Sequence, residues 1–262
     1  MSADHHYATI IHQRSTDVLS LTLNRTTKVN ALDAVMVAEL DHAISAITAL
    51  NAHDATKEPA NAAMTVTAPR LVVLRGAGRN FSAGFDFTEF ESSSPGDLLL
   101  RFVAIEQLLQ TLYRAPWATL ALAQGKNFGA GADLFMTAQQ RVCTPDATFR
   151  MPGLQFGLQL GTRRLAQRIG EANARRVLTT SMTVDADEAL AIGMVSVIAA
   201  AAEWPTIIAA ELNRARALST TARARLNRAL TTDTDAVDLA DLVNSAAQPG
   251  LKDRIKAYRE RT

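Results

Sequence analysis

Two segments of the chain share one design, in which an apolar run of strand length leads into a turn of small residues and then a helix start. They are RLVVLRGAGRNFSAGFDF (residues 70–87) and TLALAQGKNFGAGADLF (residues 119–135). Such a turn leaves backbone N–H groups of the next helix unpaired, and these groups attract negative charge. Two of them aimed at one point form an oxyanion hole. Each turn taken alone more often reflects plain packing than a functional site, and neither contains a P-loop or dinucleotide fingerprint.

The length and the charge of the chain restrict the number of domains and the class of protein. The 262 residues suffice for one large domain or two small ones, and 48% of them are hydrophobic. A formal net charge of +1 argues against a surface built to hold nucleic acid. No apolar run reaches about 18 residues, so we expect no membrane span. The N-terminus lacks the pattern of a secretory signal, which predicts a cytoplasmic protein.

Histidine and cysteine are scarce. The single cysteine, Cys143, cannot form an internal disulfide, and we expect it to be a small core residue. The five histidines are His5, His6, His12, His42 and His53. None follows either small-residue turn, so a serine or cysteine triad and a His/Cys metal site are both disfavoured.

The apolar patterns alternate between strand and helix early in the chain and become helical late. Predicted strands span residues 18–23, 70–76, 119–123, 141–143 and 194–198. Predicted helices span residues 32–50, 98–114, 130–138, 171–180 and 185–192, with long helices from 201 to 259. Residues 51–69 are predicted to be a surface loop and residues 125–131 a turn. This order predicts an α/β core with a helical C-terminal region.

Four ordered motifs resemble the crotonase superfamily, the enoyl-CoA hydratases and isomerases. They are LTLNRTTKVNAL, VVLRGAGRNFSAGFDF, ALAQGKNFGAGADL and VDADEALAIGMVSVI. The resemblance implies a core of stacked ββα turns over residues 1–200. It also implies a helical region over residues 201–262 that mediates assembly into a homotrimer or a dimer of trimers.

The same resemblance implies an acyl-CoA substrate, with coenzyme A present as part of the thioester and no permanently bound cofactor or metal. The oxyanion donors map to the backbone N–H groups of Phe85 and Ala130. The implied substrate-binding residues are Lys28, Val29, Ala31, Ala83, Gly84, Phe85, Asp86, Phe87, Thr88, Gly129 and Ala130.

The chain departs from this family in its acid–base residues. The first of two family glutamates maps to Asp133 and the second to Gly153, which has no side chain to move a proton. A further aspartate of some isomerases falls near Gly161, where the chain has no carboxylate. Asp133 is therefore the candidate acid or base, although an aspartate in a first helical turn can serve the helix dipole alone.

Other charged residues near the mapped site are expected to have structural or solvent roles. The acids Glu89, Glu91 and Glu106 are predicted to be solvated. The basic residues Arg150, Arg163 and Arg164 are predicted to pair at the surface, with phosphate or substrate carboxylate as the alternative partner.

These observations favour an enzyme that stabilises a thioester enolate and uses Asp133 in isomerisation or an atypical hydration. The alternative is a non-catalytic acyl-CoA-binding protein that has lost its second carboxylate at Gly153. A serine hydrolase is disfavoured because the chain has no G-x-S-x-G motif.

Overall fold

The computed structural model describes residues 7–54 and 68–261. Its main sheet has six strands in the order β1-β2-β3-β4-β6-β9, and a smaller sheet has the order β5-β7-β8. In the main sheet β1 is antiparallel to β2 and the other pairs are parallel. The strands are β1 Ile10–Arg14, β2 Val18–Leu23, β3 Leu71–Gly76, β4 Ala118–Ala123, β5 Lys126–Phe128, β6 Gln140–Cys143, β7 Thr148–Arg150, β8 Val184–Asp185 and β9 Val197–Ile198.

Ten helices accompany the sheets in the described ranges. They are α1 Ala34–Asp54, α2 Pro95–Tyr113, α3 Ala130–Thr137, α4 Thr162–Ile169, α5 Glu171–Thr180, α6 Ala186–Ala191, α7 Trp204–Arg216, α8 Thr220–Leu230, α9 Asp235–Ala246 and α10 Leu251–Arg259. The predicted α/β class with a helical C-terminal region is confirmed.

The central strands are buried on both faces because helices cover each side. In β3, Val72 and Leu74 belong to the main core, whereas Leu71 and Val73 pack in a smaller cluster that includes Trp204 of α7. This alternation follows from the two-residue period of a strand. It explains why β3 reads as a continuous apolar run rather than an alternating one.

The predicted elements differ from the structure in several places. The strands β1, β5, β7 and β8 were not predicted, and β5 lies inside the segment expected to be a turn. Helix α1 continues to Asp54, into the predicted loop of residues 51–69, and residues 55–67 lie outside the described residues. The long helices expected over 201–259 are four shorter ones, because Ser219 caps the start of α8 and Gly250, with positive φ, precedes α10.

The C-terminal helices return to the core. Helix α7 packs on β3 and β4, α9 packs on α2, and α10 packs on a 3₁₀ turn at Gly153–Phe156. Trimer formation through this region stays a prediction. In the described ranges, no helix combines the length and the apolar character needed to cross a membrane.

Candidate active site

The two small-residue turns meet at one edge of the main sheet. β3 and β4 are parallel neighbours, so their carboxyl ends lie side by side, where ligands commonly bind in open α/β sheets. Ser82 and Asn127 form a bridge between the turns, in which the Phe128 N–H donates to the Ser82 carbonyl at 3.0 Å. A Cβ atom at Gly84 would overlap the Phe128 carbonyl oxygen and lie 3.1 Å from the Ala130 nitrogen. Glycine at this position therefore permits the close approach of the two turns.

Buried polar side chains hold the first turn in place. The Asn30 side chain accepts from the Arg25 N–H at 2.9 Å and donates to the carbonyls of Ala77 and Asn80 at 2.9 and 3.0 Å. The Ser82 hydroxyl donates to the Asn30 carbonyl at 2.7 Å and accepts from the Gly84 N–H. Sequence reasoning did not single out Asn30 or Ser82, because the bonds that join them to other segments reach partners 47 to 52 residues away.

The backbone N–H groups of Phe85 and Ala130 are left without acceptors. Around Phe85, the Leu32 N–H donates to the Gly84 carbonyl and the Asp86 N–H donates to the Leu32 carbonyl. Ala130 is the first residue of α3, so its N–H has no intrahelical partner. Within the described part of the chain, neither N–H meets a hydrogen-bond acceptor.

An apolar cavity of about 160 Å³, here called the Asp133 cavity, opens beside these turns. Six predicted site residues line it together with Gly153, namely Ala83, Phe85, Phe87, Gly129, Ala130 and Asp133. The rest of the lining is Phe102, Phe128, Met151, Pro152, Leu154, Phe156, Leu158, Leu160, Leu178 and Tyr258. The structure thus brings the mapped oxyanion residues and the mapped carboxylate to one apolar space.

Asp133 lies in the first turn of α3 and is 5% exposed. Its Oδ1 packs against Gly161, where a Cβ atom would overlap the carboxyl group. Within the described residues, no hydrogen-bond donor reaches this carboxyl group. Burial raises the pKa of Asp133 well above its usual range, while nearby Arg164 opposes the rise and Glu106 adds to it.

Glu106 and Arg164 correct two predictions. Glu106 was expected to be solvated, but it is 1% exposed and accepts two hydrogen bonds from Arg164, at 2.7 and 2.5 Å. Arg164 was expected to pair at the surface, yet its side chain is 3% exposed. The neighbouring Arg163 does pair near the surface, with Asp238 and Asp241. Helix α4 turns these adjacent arginines in different directions, so one is drawn into the core.

A second groove of about 440 Å³ adjoins the site and contains Lys28, Asp86 and Thr88, so we call it the Lys28 groove. Arg25 is paired there with Asp33 and Asp86, at 3.1 and 2.9 Å. Partial burial acts to raise the pKa of Asp86, but hydrogen bonds from the Thr88 hydroxyl and N–H, together with Arg25, outweigh it and lower the pKa below its usual range.

The remaining predicted binding residues support the Lys28 groove through their backbone. Val29 has φ +54° and accepts from the Ala83 N–H, and the Ala31 carbonyl accepts from Arg25. Neither residue lines the groove or the Asp133 cavity. Arg101, which sequence reasoning missed, lies 4.3 Å from the centre of the Phe85 ring and donates to the Asp86 carbonyl.

Gly153, the position to which the resemblance maps a second carboxylate, lines the Asp133 cavity. The Leu158 N–H donates to the Gly153 carbonyl at 2.9 Å, which closes a tight turn. A Cβ atom at Gly153 would lie 2.9 Å from the Leu158 carbonyl oxygen. The local backbone therefore excludes any side chain at this position unless the turn moves.

Other candidate residues have structural roles. Arg150 was predicted to pair at the surface or meet an anion, but its Nε donates to the Ser181 carbonyl at 2.9 Å. Cys143 is fully buried in the core, as predicted. Glu89 lines the Lys28 groove, and the backbone carbonyl of Glu91 accepts from Lys252. In the described ranges, no group of three His, Cys, Asp or Glu side chains is placed to bind a metal.

Comparisons with known proteins agree with this geometry. Residues 13–256 match the model of the enoyl-CoA hydratase/isomerase family. The Mycobacterium leprae protein named "Probable enoyl-CoA hydratase echA6" is 30% identical over 71% of this chain and 69% of its own. The Homo sapiens ethylmalonyl-CoA decarboxylase is 28% identical over 67% of this chain and 53% of its own.

A Bordetella parapertussis crystal structure, provisionally described as an enoyl-CoA hydratase/isomerase, superposes with a TM-score of 0.87 at 47% identity. The superposition covers 95% of this chain and 98% of the other. The fold, the paired turns and the family match therefore lead to one conclusion: the chain is a member of the crotonase superfamily, within the enoyl-CoA hydratase/isomerase family.

Proposed function

We propose that the chain is an enzyme that acts on an acyl-CoA thioester. In this proposal the N–H groups of Phe85 and Ala130 bind the thioester carbonyl oxygen, and Asp133 moves one proton. The observation that carries the proposal is the presence of two unpaired N–H groups and a carboxyl group without a hydrogen-bond donor around one apolar cavity. Donors preorganised in such a site contribute a few kcal/mol each to enolate stabilisation.

Double-bond isomerisation suits a site with a single carboxyl group. Ionised Asp133 would take a proton from C2 of a 3-enoyl thioester, and the enolate oxygen would be held by the two N–H groups. The same carboxyl group would return the proton to C4, which gives the 2-enoyl thioester. Hydration needs a second group to hold and activate water, and Gly153 supplies none. Hydration at this site would therefore be atypical.

Coenzyme A would enter with the substrate rather than as a resident cofactor. The Lys28 groove adjoins the Asp133 cavity, so its residues Lys28, Asp86 and Thr88 would lie along the pantetheine or nucleotide part of the thioester. A homotrimer or dimer of trimers in the cytoplasm remains our expectation for the assembled protein.

The test is a rate assay on 3-enoyl-CoA, 2-enoyl-CoA and carboxylated acyl-CoA substrates, because decarboxylases are among the relatives. We expect isomerisation by the wild type and a loss of about 10² to 10⁴ in rate for Asp133→Asn. Equal rates for the two proteins would remove Asp133 from the mechanism. Acyl-CoA binding without turnover of any substrate would instead favour the non-catalytic alternative.

A further inference from the structure

A buried ion pair lies behind Asp133, and the reaction proposed above does not use it. Arg164 is the third residue of α4, and both of its terminal nitrogens donate hydrogen bonds to the carboxylate of Glu106 on α2. Gln110 donates a further bond to Glu106 at 2.8 Å, and Asp238 of α9 lies 3.7 Å from Arg164. The Glu106 carboxylate is therefore fixed on several sides.

Stability alone does not account for such a pair. The desolvation of two buried charges offsets most of their attraction, and apolar residues of the same volume often serve equally well. The location of the pair is more informative. Gly161, which contacts the Asp133 carboxyl group, is the N-cap of α4, so the contact and Arg164 lie within one helical turn.

The charges around Asp133 come from several elements. Those on elements packed against α3 or against Arg164 are Asp97, Arg101 and Glu106 on α2, Arg163, Arg164 and Arg168 on α4, Lys126 on β5, and Asp235, Asp238 and Asp241 on α9. Arg101 is turned toward the Phe85 ring, Asp97 accepts from Ser94, Arg163 pairs with Asp238 and Asp241, and Asp235 pairs with Arg114. Lys126 is exposed above the Phe128 ring, and Arg168 is turned toward Tyr113 and the Ala138 carbonyl. Glu106 and Arg164 are the charges that act on Asp133.

We propose that Glu106 and Arg164 are positioning residues for Asp133, and that their pairing sets whether this carboxyl group is protonated or ionised when it meets substrate. By binding both terminal nitrogens of Arg164, Glu106 cancels a cation that would otherwise favour the ionised form of Asp133. The catalytic significance of this arrangement rests on the proposed function, whereas the electrostatic arrangement itself can be measured on the free protein.

The direction of each expected change in the pKa of Asp133 follows from the charge of the neighbouring residue. Arg164 lowers the pKa of Asp133 and Glu106 raises it. Replacing Glu106 with glutamine leaves the Arg164 charge unbalanced, so the pKa of Asp133 should fall. An uncompensated opposite charge nearby typically lowers a carboxyl pKa by about 1 to 3 units. Removing both charges, in Glu106→Gln/Arg164→Met, should bring the value back toward that of the wild type.

The experiment is an infrared titration of the substrate-free protein. The carbonyl stretch of protonated Asp133 is assigned by its absence in Asp133→Asn and followed against pH. We expect the midpoint to fall by about 1 to 3 units in Glu106→Gln, to recover in the double variant, and to stay unchanged in Glu106→Asp. Arg163→Gln is the matched control, since this neighbouring arginine pairs near the surface; its midpoint should equal that of the wild type.

A folded Glu106→Gln variant with an unchanged Asp133 midpoint would overturn the inference. If that variant does not fold, Asp238→Asn tests the same point, because it removes the second carboxylate that lies close to Arg164. It should lower the midpoint by less than the 1 to 3 units expected from an unbalanced Arg164, about half a unit or more, and no shift would again overturn the inference. A shifted midpoint in a protein that turns over no acyl-CoA would support the positioning pair and contradict the proposed reaction.

Discussion

At the scale of single residues, the site depends on Gly161 as much as on Asp133. Gly161 has φ +65°, and any Cβ atom there would overlap the Asp133 carboxyl group. The absence of a side chain at Gly161 is thus what makes room for the candidate base. The segment around Gly161 has no carboxylate of its own, but it leaves the space that the Asp133 carboxyl group occupies.

We expect Gly161→Ala to lower turnover about 100-fold, because Asp133 must rotate out of its position against α4. Gly170→Ala is the matched control. Gly170 also has positive φ, at +78°, but a Cβ atom there meets open space. Both variants should lose about 1 kcal/mol of stability through backbone strain, and only the first should lose activity. Equal rates for the two variants in the isomerisation assay would contradict this reading of Gly161.

Asp133 is also expected to make stability depend on pH. Burial raises the pKa of Asp133 in the folded state. Its contribution to the free energy of unfolding is therefore fully present at low pH, where the carboxyl group is protonated, and is lost as pH rises through the folded-state pKa. Asp133→Asn, which stays neutral, should be more stable than the wild type at pH 8 by about 1.4 kcal/mol for each unit of pKa elevation. The difference should vanish near pH 4. Urea unfolding at several pH values measures it, and a difference that grew toward acid pH would contradict the assignment.

At the scale of elements, the turn at Gly153–Phe156 leaves no space for a side chain at the position where the family resemblance places a second carboxylate. Gly153→Glu must place its Cβ atom 2.9 Å from the Leu158 carbonyl oxygen. We expect no gain in hydration of 2-enoyl-CoA and a loss of about 1 to 3 kcal/mol of stability from overpacking. Leu154→Glu is the control, because Leu154 also lines the cavity but is 41% exposed. Hydratase activity gained by Gly153→Glu would show that the turn can move.

The difference between local and distant contacts also decides what the sequence could predict. Asp133 and the N–H of Ala130 follow from one strand–turn–helix segment, so their neighbourhood was predictable. Glu106 and Arg164 are 58 residues apart and meet through the packing of α2 and α4. Each side chain alone resembles an exposed helical charge, which is why solvation was the wrong expectation. The hydrogen bonds from the Asn30 side chain reach carbonyls 47 and 50 residues away, so no local sequence pattern predicts them either.

At the scale of the whole molecule, the C-terminal helix α10 packs against a cavity whose other lining residues lie between Ala83 and Leu178. Lys252 donates to the carbonyls of Glu91 and Ser93 at 2.6 and 3.0 Å. Arg259 lies 4.9 Å from the centre of the Phe90 ring. These contacts tie α10 to the segment after the first small-residue turn, so the helical region of residues 201–262 packs against the residues of the candidate site.

A substitution at Tyr258 can test whether α10 limits the length of the acyl group that the site accepts. Its ring lies 5.4 Å from that of Phe156, and both side chains line the Asp133 cavity. Removing the ring in Tyr258→Ala should extend this small cavity, so we expect the ratio of kcat/KM for long over short enoyl-CoA chains to rise about 10-fold. Such a change corresponds to the 1 to 3 kcal/mol that an added methylene contributes in an apolar pocket. Lys256→Ala, an exposed position on the same helix, should leave the ratio unchanged, and an unchanged ratio in Tyr258→Ala would show that α10 does not bound the acyl site.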